Sequence, residues 1–192
     1  MKKLFSLILT LTLLSTMVVT ASAASNHTTP ATATNADNVL ILNDPALLEK
    51  ADTVMDSAVN NAAQRGLFIT LKNRELTGQF YYGDSPFLVD SVEGPMAEGP
   101  RITFTTTSKI GANLDLGVSE ANIEASFGVN FEESYSLERA YQFDPIPNGK
   151  WLTYKAYTNY NVYDFEVYNM GEYVGISSYW VPVGIVVEHD LV

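Results

Sequence analysis

The 192-residue sequence has no cysteine, which removes disulfides, thiolate zinc and iron–sulfur sites, and a cysteine nucleophile. It has two histidines, His27 and His189, so a Ser-His-Asp relay would have to use His189. Basic residues are scarce. Against 22 Asp+Glu stand 11 Lys+Arg, a net charge of −11. That balance argues against a nucleic-acid binder, which would carry a basic patch. Charged residues make up only 17% and hydrophobic ones 46%, enough for a packed core rather than wholesale disorder. Only one apolar run approaches the ~18 residues of a membrane span, and it sits at the N-terminus.

That run, Leu4–Val19, follows Lys2 and Lys3 and precedes Ala21-Ser22-Ala23, an A-x-A site with cleavage before Ala24 or Ser25. Residues 1–24 therefore read as a bacterial export signal, and the expected location is secreted and extracellular. Its removal takes two lysines and no acid, so −11 becomes −13. A disulfide-free exported domain fits a Gram-positive exterior. Residues 25–38, a Ser/Thr/Ala/Asn tract, predict a flexible leader. A single β-rich domain is expected over 39–192.

One helix is predicted over Pro45–Arg65, with Asp44 as cap, Pro45 at the first position and Gly66 as stop. After it the chain reads as β: short strands at 67–72 and 79–82, another at 87–92, and a loop at 93–100 containing two Gly-Pro pairs. Odd positions from Ala121 to Leu137 are apolar except Glu133, and Ile110, Ala112, Leu114, Leu116 and Val118 alternate in the opposite parity. A turn at Ser119-Glu120 would place both rows on one side of a hairpin over 101–137, pairing Arg101 with Glu138. The expected fold is mainly β (α+β): an antiparallel β-sandwich-like domain with one N-terminal amphipathic helix and a long amphipathic hairpin.

Eight of the eleven tyrosines fall between Tyr141 and Tyr179. Residues 151–168 read as a strand whose parity changes near 158–161, suggesting a bulge, and 173–187 returns after a loop at 169–172. Trp151, Tyr154, Tyr157, Tyr160, Tyr163 and Tyr168 lie on both sides of the parity change, so some rings should be exposed, ready to stack on a sugar, a wall polymer or a protein.

The run Asn148-Gly149-Lys150, Lys155-Ala156-Tyr157, 163–168 (YDFEVY), Val174-Gly175 and Pro182-Val183-Gly184 resembles small exported Gram-positive proteins of unassigned function, over roughly 45 C-terminal residues. The resemblance implies a β-rich exoprotein and no particular activity. A Ser/Thr/Gly-rich amphipathic hairpin followed by Pro147-Asn148-Gly149-Lys150 is similar in layout to the central module of aerolysin-type pore-forming toxins. It departs from them in having no recognisable receptor-binding domain and only some 60 residues between leader and hairpin. Under that likeness Ile110, Leu114, Leu116, Val118, Ile123, Phe127, Val129 and Phe131 would line a membrane-inserting hairpin.

No G-x-S-x-G elbow, H-E-x-x-H, phosphate loop or EF-hand loop occurs. Glu132-Glu133, or Asp164 with Glu166, are nominal glycosidase pairs, but surface charge accounts for them. The expectation is a secreted, non-enzymatic protein without cofactor, metal or nucleic acid. It would bind cell wall, glycan or a protein through the Tyr-rich strands. The alternative is a small pore former, the one reading that involves a membrane.

Overall fold

The computed structural model describes residues 31–32, 38–57 and 68–192. The export signal, most of the leader and the predicted end of the helix lie outside the described residues. The architecture is mainly β, with antiparallel sheets and two helices.

Its spine is the hairpin of β8 (Trp151–Asn169) and β9 (Glu172–Leu191), joined by the Met170-Gly171 turn. Met170 and Gly171 both have positive φ (53° and 88°), the primed geometry that matches strand twist. Each strand extends for roughly 60 Å at ~3.3 Å per residue. β4 (Leu88–Glu93) and β3 (Ile69–Tyr81) pair successive stretches of the outer edge of β8. β2 (Val39–Asn43) and β6 (Gly111–Ala112) pair β9. Two residues of the expected leader, β1 (Ala31–Thr32), pair β3. A separate two-stranded sheet consists of β5 (Arg101–Lys109) and β7 (Ser134–Gln142). The two segments expected as strands at 67–72 and 79–82 are one strand, β3. Register shifts fall between Lys72 and Glu75 and between Leu76 and Gly78.

The spine is covered on opposite faces at its two ends. In its root half, the even-numbered Leu152, Tyr154 and Ala156 of β8 pack with Phe104 and Leu137 of the β5–β7 pair and with Phe143 and Ile146. In its turn half, the odd-numbered Tyr163, Phe165 and Val167 pack with Ile123, Phe127, Val129 and Phe131, with Leu47, Leu48 and Ala51 of α1 (Pro45–Ser57) alongside. Strand side chains alternate between faces, so the covers lie on opposite sides. Between them β8 is buried on both sides, as at Ala156 and Tyr157. This exchange of cover produces the parity change seen in the sequence. A bulge does fall there, with the extra residue on β9: Asn159 pairs Gly184 while Tyr160 pairs Pro182, skipping Val183. At Gly184 a Cβ would lie 2.6 Å from the Asn43 Cα, so β2 approaches closely only because the position is glycine.

The hairpin expected over 101–137 does not form. β5 and β7 do pair, but Arg101 meets Gln142 instead of Glu138. The slip is four residues, an even number, so the inward face is preserved. Between these strands, Ile110 and Val118 are buried, and α2 (Glu120–Phe127) replaces the expected strand. Ser119 is its N-cap rather than a hairpin turn. Its Oγ accepts the Asn122 N–H, the Asn122 side chain accepts the Ser119 N–H, and Gly128 closes the helix in the left-handed conformation (φ 69°). Ile123 and Phe127 are four apart, a spacing that satisfies a helical stripe and a strand alternation equally. With Val129 and Phe131 they are buried in the core, whereas Leu114 and Leu116 are exposed in the 113–119 loop.

Candidate functional site

Trp151 and the five tyrosines do not form one exposed surface. Tyr163 is 1% exposed and stacks on Tyr179, with centroids 5.2 Å apart. Tyr154 is buried in the root core and donates to Asp90 at 3.2 Å. Tyr160 is buried, stacks on Phe80, and its hydroxyl lies 2.7 Å from that of Ser108. Tyr157 is buried beside Tyr81 and Val186. Tyr168 is half-buried, and Trp151 is 42% exposed. The expectation of exposed rings is therefore corrected for four tyrosines. Having covers on both faces of one spine buries rings of both parities.

The same covering arrangement leaves one face of the root half open. Here the odd-numbered residues of β8 point away from the β5–β7 cover, and a groove of about 460 Å³ runs across β4, β8 and β9. Its floor is the backbone at Asp90, Tyr154 and His189, whose side chains face the other way. Its walls are two cross-strand rows. Val89, Lys155 and Glu188 form one, and Ser91, Thr153 and Asp190 form the other. Rows on one face of a strand repeat every two residues, about 7 Å. The next row outward is Glu93 with Trp151, and Trp151 exchanges both backbone hydrogen bonds with Val192 at 2.9 Å. An indole face thus stands one row from the groove.

Glu188 is held from behind. The Tyr81 and Tyr157 hydroxyls donate to its two carboxylate oxygens at 2.8 and 2.9 Å. Burial, then the hydrogen bond to Glu188 and its charge, pushes the Tyr81 phenol up to about 12, and the same causes raise Tyr157. Both phenols therefore stay protonated donors at neutral pH, leaving Glu188 as a fixed acceptor. Asp190 accepts from the Asn38 side chain at 3.4 Å, and the Thr153 hydroxyl donates to the Asp190 carbonyl at 3.4 Å. The groove offers one ammonium, two carboxylates and two hydroxyls, with an aromatic plane at its end. Those groups bind hydroxyl- and amide-bearing molecules by hydrogen bonds.

A second cavity, about 160 Å³, lies between Ala51 and Lys50 of α1, the 128–135 segment and the sheet. Lys50 pairs with Glu133 and lies over the Tyr135 ring, 5.1 Å from its centroid. This cavity is below the ~300 Å³ of ordinary ligand sites. His189, the one histidine among the described residues, packs edge-on against Phe143. Its Nε2 is buried with no hydrogen-bond partner. Asp164 and Glu166 share a face of β8. Burial raises the Asp164 pKa, with Thr77 opposing and Glu75 adding to the shift. Among the described residues no group of three His, Cys, Asp or Glu is gathered as a metal site, and no helix is long and apolar enough to cross a membrane.

No family profile and no curated protein matches the chain. Of the residues lining the groove, the sequence points to Tyr154 as a binding ring, to His189 as the histidine a relay would have to use, and to Lys155 only within the C-terminal resemblance, while Trp151 lies one row beyond. The alternation of Trp151, Thr153 and Lys155 against Leu152, Tyr154 and Ala156 carried part of the signal. The partners Val89, Ser91, Glu188 and Asp190 become visible only through strand order.

Proposed function

We propose that this protein is an exported, non-enzymatic binding protein of the bacterial exterior whose ligand is a glycan lying across the open root face. The observation that carries this reading is the pairing of an exposed indole with a polar groove whose acceptor, Glu188, is fixed by two phenols. A sugar presents hydroxyls and amides at its edges and an apolar C–H face, and the groove and Trp151 match these in turn. One cation against two acids suits a neutral or amide-bearing sugar better than an acidic polymer. The Leu4–Val19 run with Ala21-Ser22-Ala23 supports export to where wall glycan is found.

The test is co-sedimentation with peptidoglycan sacculi, followed by titration with a soluble N-acetylglucosamine oligomer. Saturable binding is expected, with quenching or shift of indole fluorescence. Trp151→Ala and Lys155→Ala should each weaken it at least about tenfold while leaving the melting temperature near that of the parent, since both side chains are exposed. Absence of binding, or binding indifferent to both substitutions, refutes the reading.

A further inference from the structure

The cavity beside α1 has a definite size and character. One wall belongs to the spine: Tyr163 and Tyr179, stacked with centroids 5.2 Å apart and planes 18° from parallel, together with Val181. Ala51 of α1 and Val129 line the other side. Gly128, held in the left-handed conformation at φ 69°, adds no side chain there. Protein interiors leave few voids larger than a water molecule, so a space of this size between packed elements is a formed site. At about 160 Å³ it is close to the ~150 Å³ apolar cavity that takes up benzene. One six-membered ring fits.

Polar groups free to meet a guest gather at the rim. The hydroxyls of the two wall tyrosines are engaged elsewhere, Tyr179 accepting from Arg74 at 2.9 Å and Tyr163 from Asn161 at 3.4 Å. At the rim the Lys50 ammonium pairs with one Glu133 oxygen, which joins α1 to the 128–135 segment. These side chains are 45% and 35% exposed, so the rim meets solvent. The Tyr135 hydroxyl donates to the other Glu133 oxygen at 3.3 Å. Burial, then the Glu133 charge, raises the Tyr135 pKa, so this phenol stays a donor at neutral pH. A carboxylate offers about four lone-pair sites, and these two contacts leave room for a guest's O–H.

We propose that this cavity binds a neutral monocyclic phenol, its ring against the Tyr163–Tyr179 wall and its hydroxyl donating to Glu133. The rim pair selects against charged aromatics, because Lys50 and Glu133 cancel and leave no surplus of either sign. Aromatic walls favour a flat guest over a saturated ring of similar bulk, through offset or edge-on ring contacts. The cavity shares no residue with the glycan groove, so the two readings stand or fall separately.

The probe is phenol titrated into the full chain. Because the Leu4–Val19 run takes up apolar solutes on its own, the readout is the methyl NMR shifts of Val129 and Val181, which line the cavity. Saturable shifts at both residues are expected, with cyclohexanol binding about fivefold more weakly. Ala51→Leu fills the space from the helix side. It should weaken phenol at least about tenfold, without lowering the melting temperature and with glycan binding unchanged. Glu133→Gln keeps the side chain's size but removes the charged acceptor, and should also weaken phenol at least about tenfold. Should Ala51→Leu fail to fold, Glu133→Gln on the half-exposed rim carries the decision. Absence of shifts at Val129 and Val181 in millimolar phenol overturns the proposal. So does undiminished binding in either variant, or cyclohexanol binding equal to that of phenol.

Discussion

The guanidinium of Arg139, on β7, lies 2.5 Å from the carboxylate of Asp44, the residue that caps α1. The Arg139 Nε also donates to the Asn43 carbonyl at 3.2 Å. One side chain thus ties the β5–β7 cover to the corner where β2 becomes α1, and both partners are mostly shielded from water.

Asp44 therefore has two separable roles. Its Oδ1 accepts the Ala46 N–H at 2.9 Å, and its other oxygen takes the ion pair. Asp44→Asn keeps a cap and loses the charge, whereas Asp44→Ala loses both. Urea unfolding should show a cost of about 1 kcal/mol for Asn and about 2–3 kcal/mol for Ala. Equal costs would mean that the cap contributes nothing.

At Ser119 a helix cap and a hairpin turn make different demands. Ser119→Ala removes the acceptor for the Asn122 N–H and should cost about 1 kcal/mol. Ser119→Asp restores an acceptor and should recover most of that loss in the same unfolding assay. If Asp destabilises as much as Ala, the cap geometry is wrong.

Asp164 opposes folding when charged, since burial raises its pKa above the ordinary 3.8. A carboxyl with a raised folded pKa binds its proton more tightly in the native state. Its favourable contribution is full below about pH 3.8 and is lost as pH rises through the folded pKa. Asp164→Asn should accordingly raise the melting temperature at neutral pH, with the gain shrinking toward zero below the ordinary aspartate value. A gain that persists unchanged in acid would place the effect elsewhere than in charge burial.

The elements legible in the sequence are those with local punctuation. The Asp44-Pro45 start of α1, the Asn169–Glu172 turn and the long paired strands around it were all marked by caps, glycine or alternation. The segment 110–131 was misread because Ile123, Phe127, Val129 and Phe131 alternate although only the last two lie outside the helix, and a four-residue spacing fits both periods. Burial of Tyr154, Tyr157, Tyr160 and Tyr163 was illegible for another reason. The sequence shows two rows of rings, but only tertiary structure shows that a different segment covers each row. The groove suffered the same blindness: Lys155 and Glu188 are 33 residues apart in the sequence and adjacent in the sheet.

The order in which the chain is made bears on when it can fold. Every strand of the large sheet except β1 pairs directly with β8 or β9 or belongs to that pair, and these two follow all the others in the sequence. Val39 must wait for Glu188, and Leu40 for Val187. A ribosome therefore releases a succession of amphipathic segments with no central strands to dock on, and pairings at such separation form slowly once they are possible. The polypeptide stays threadable until β8 and β9 have been made.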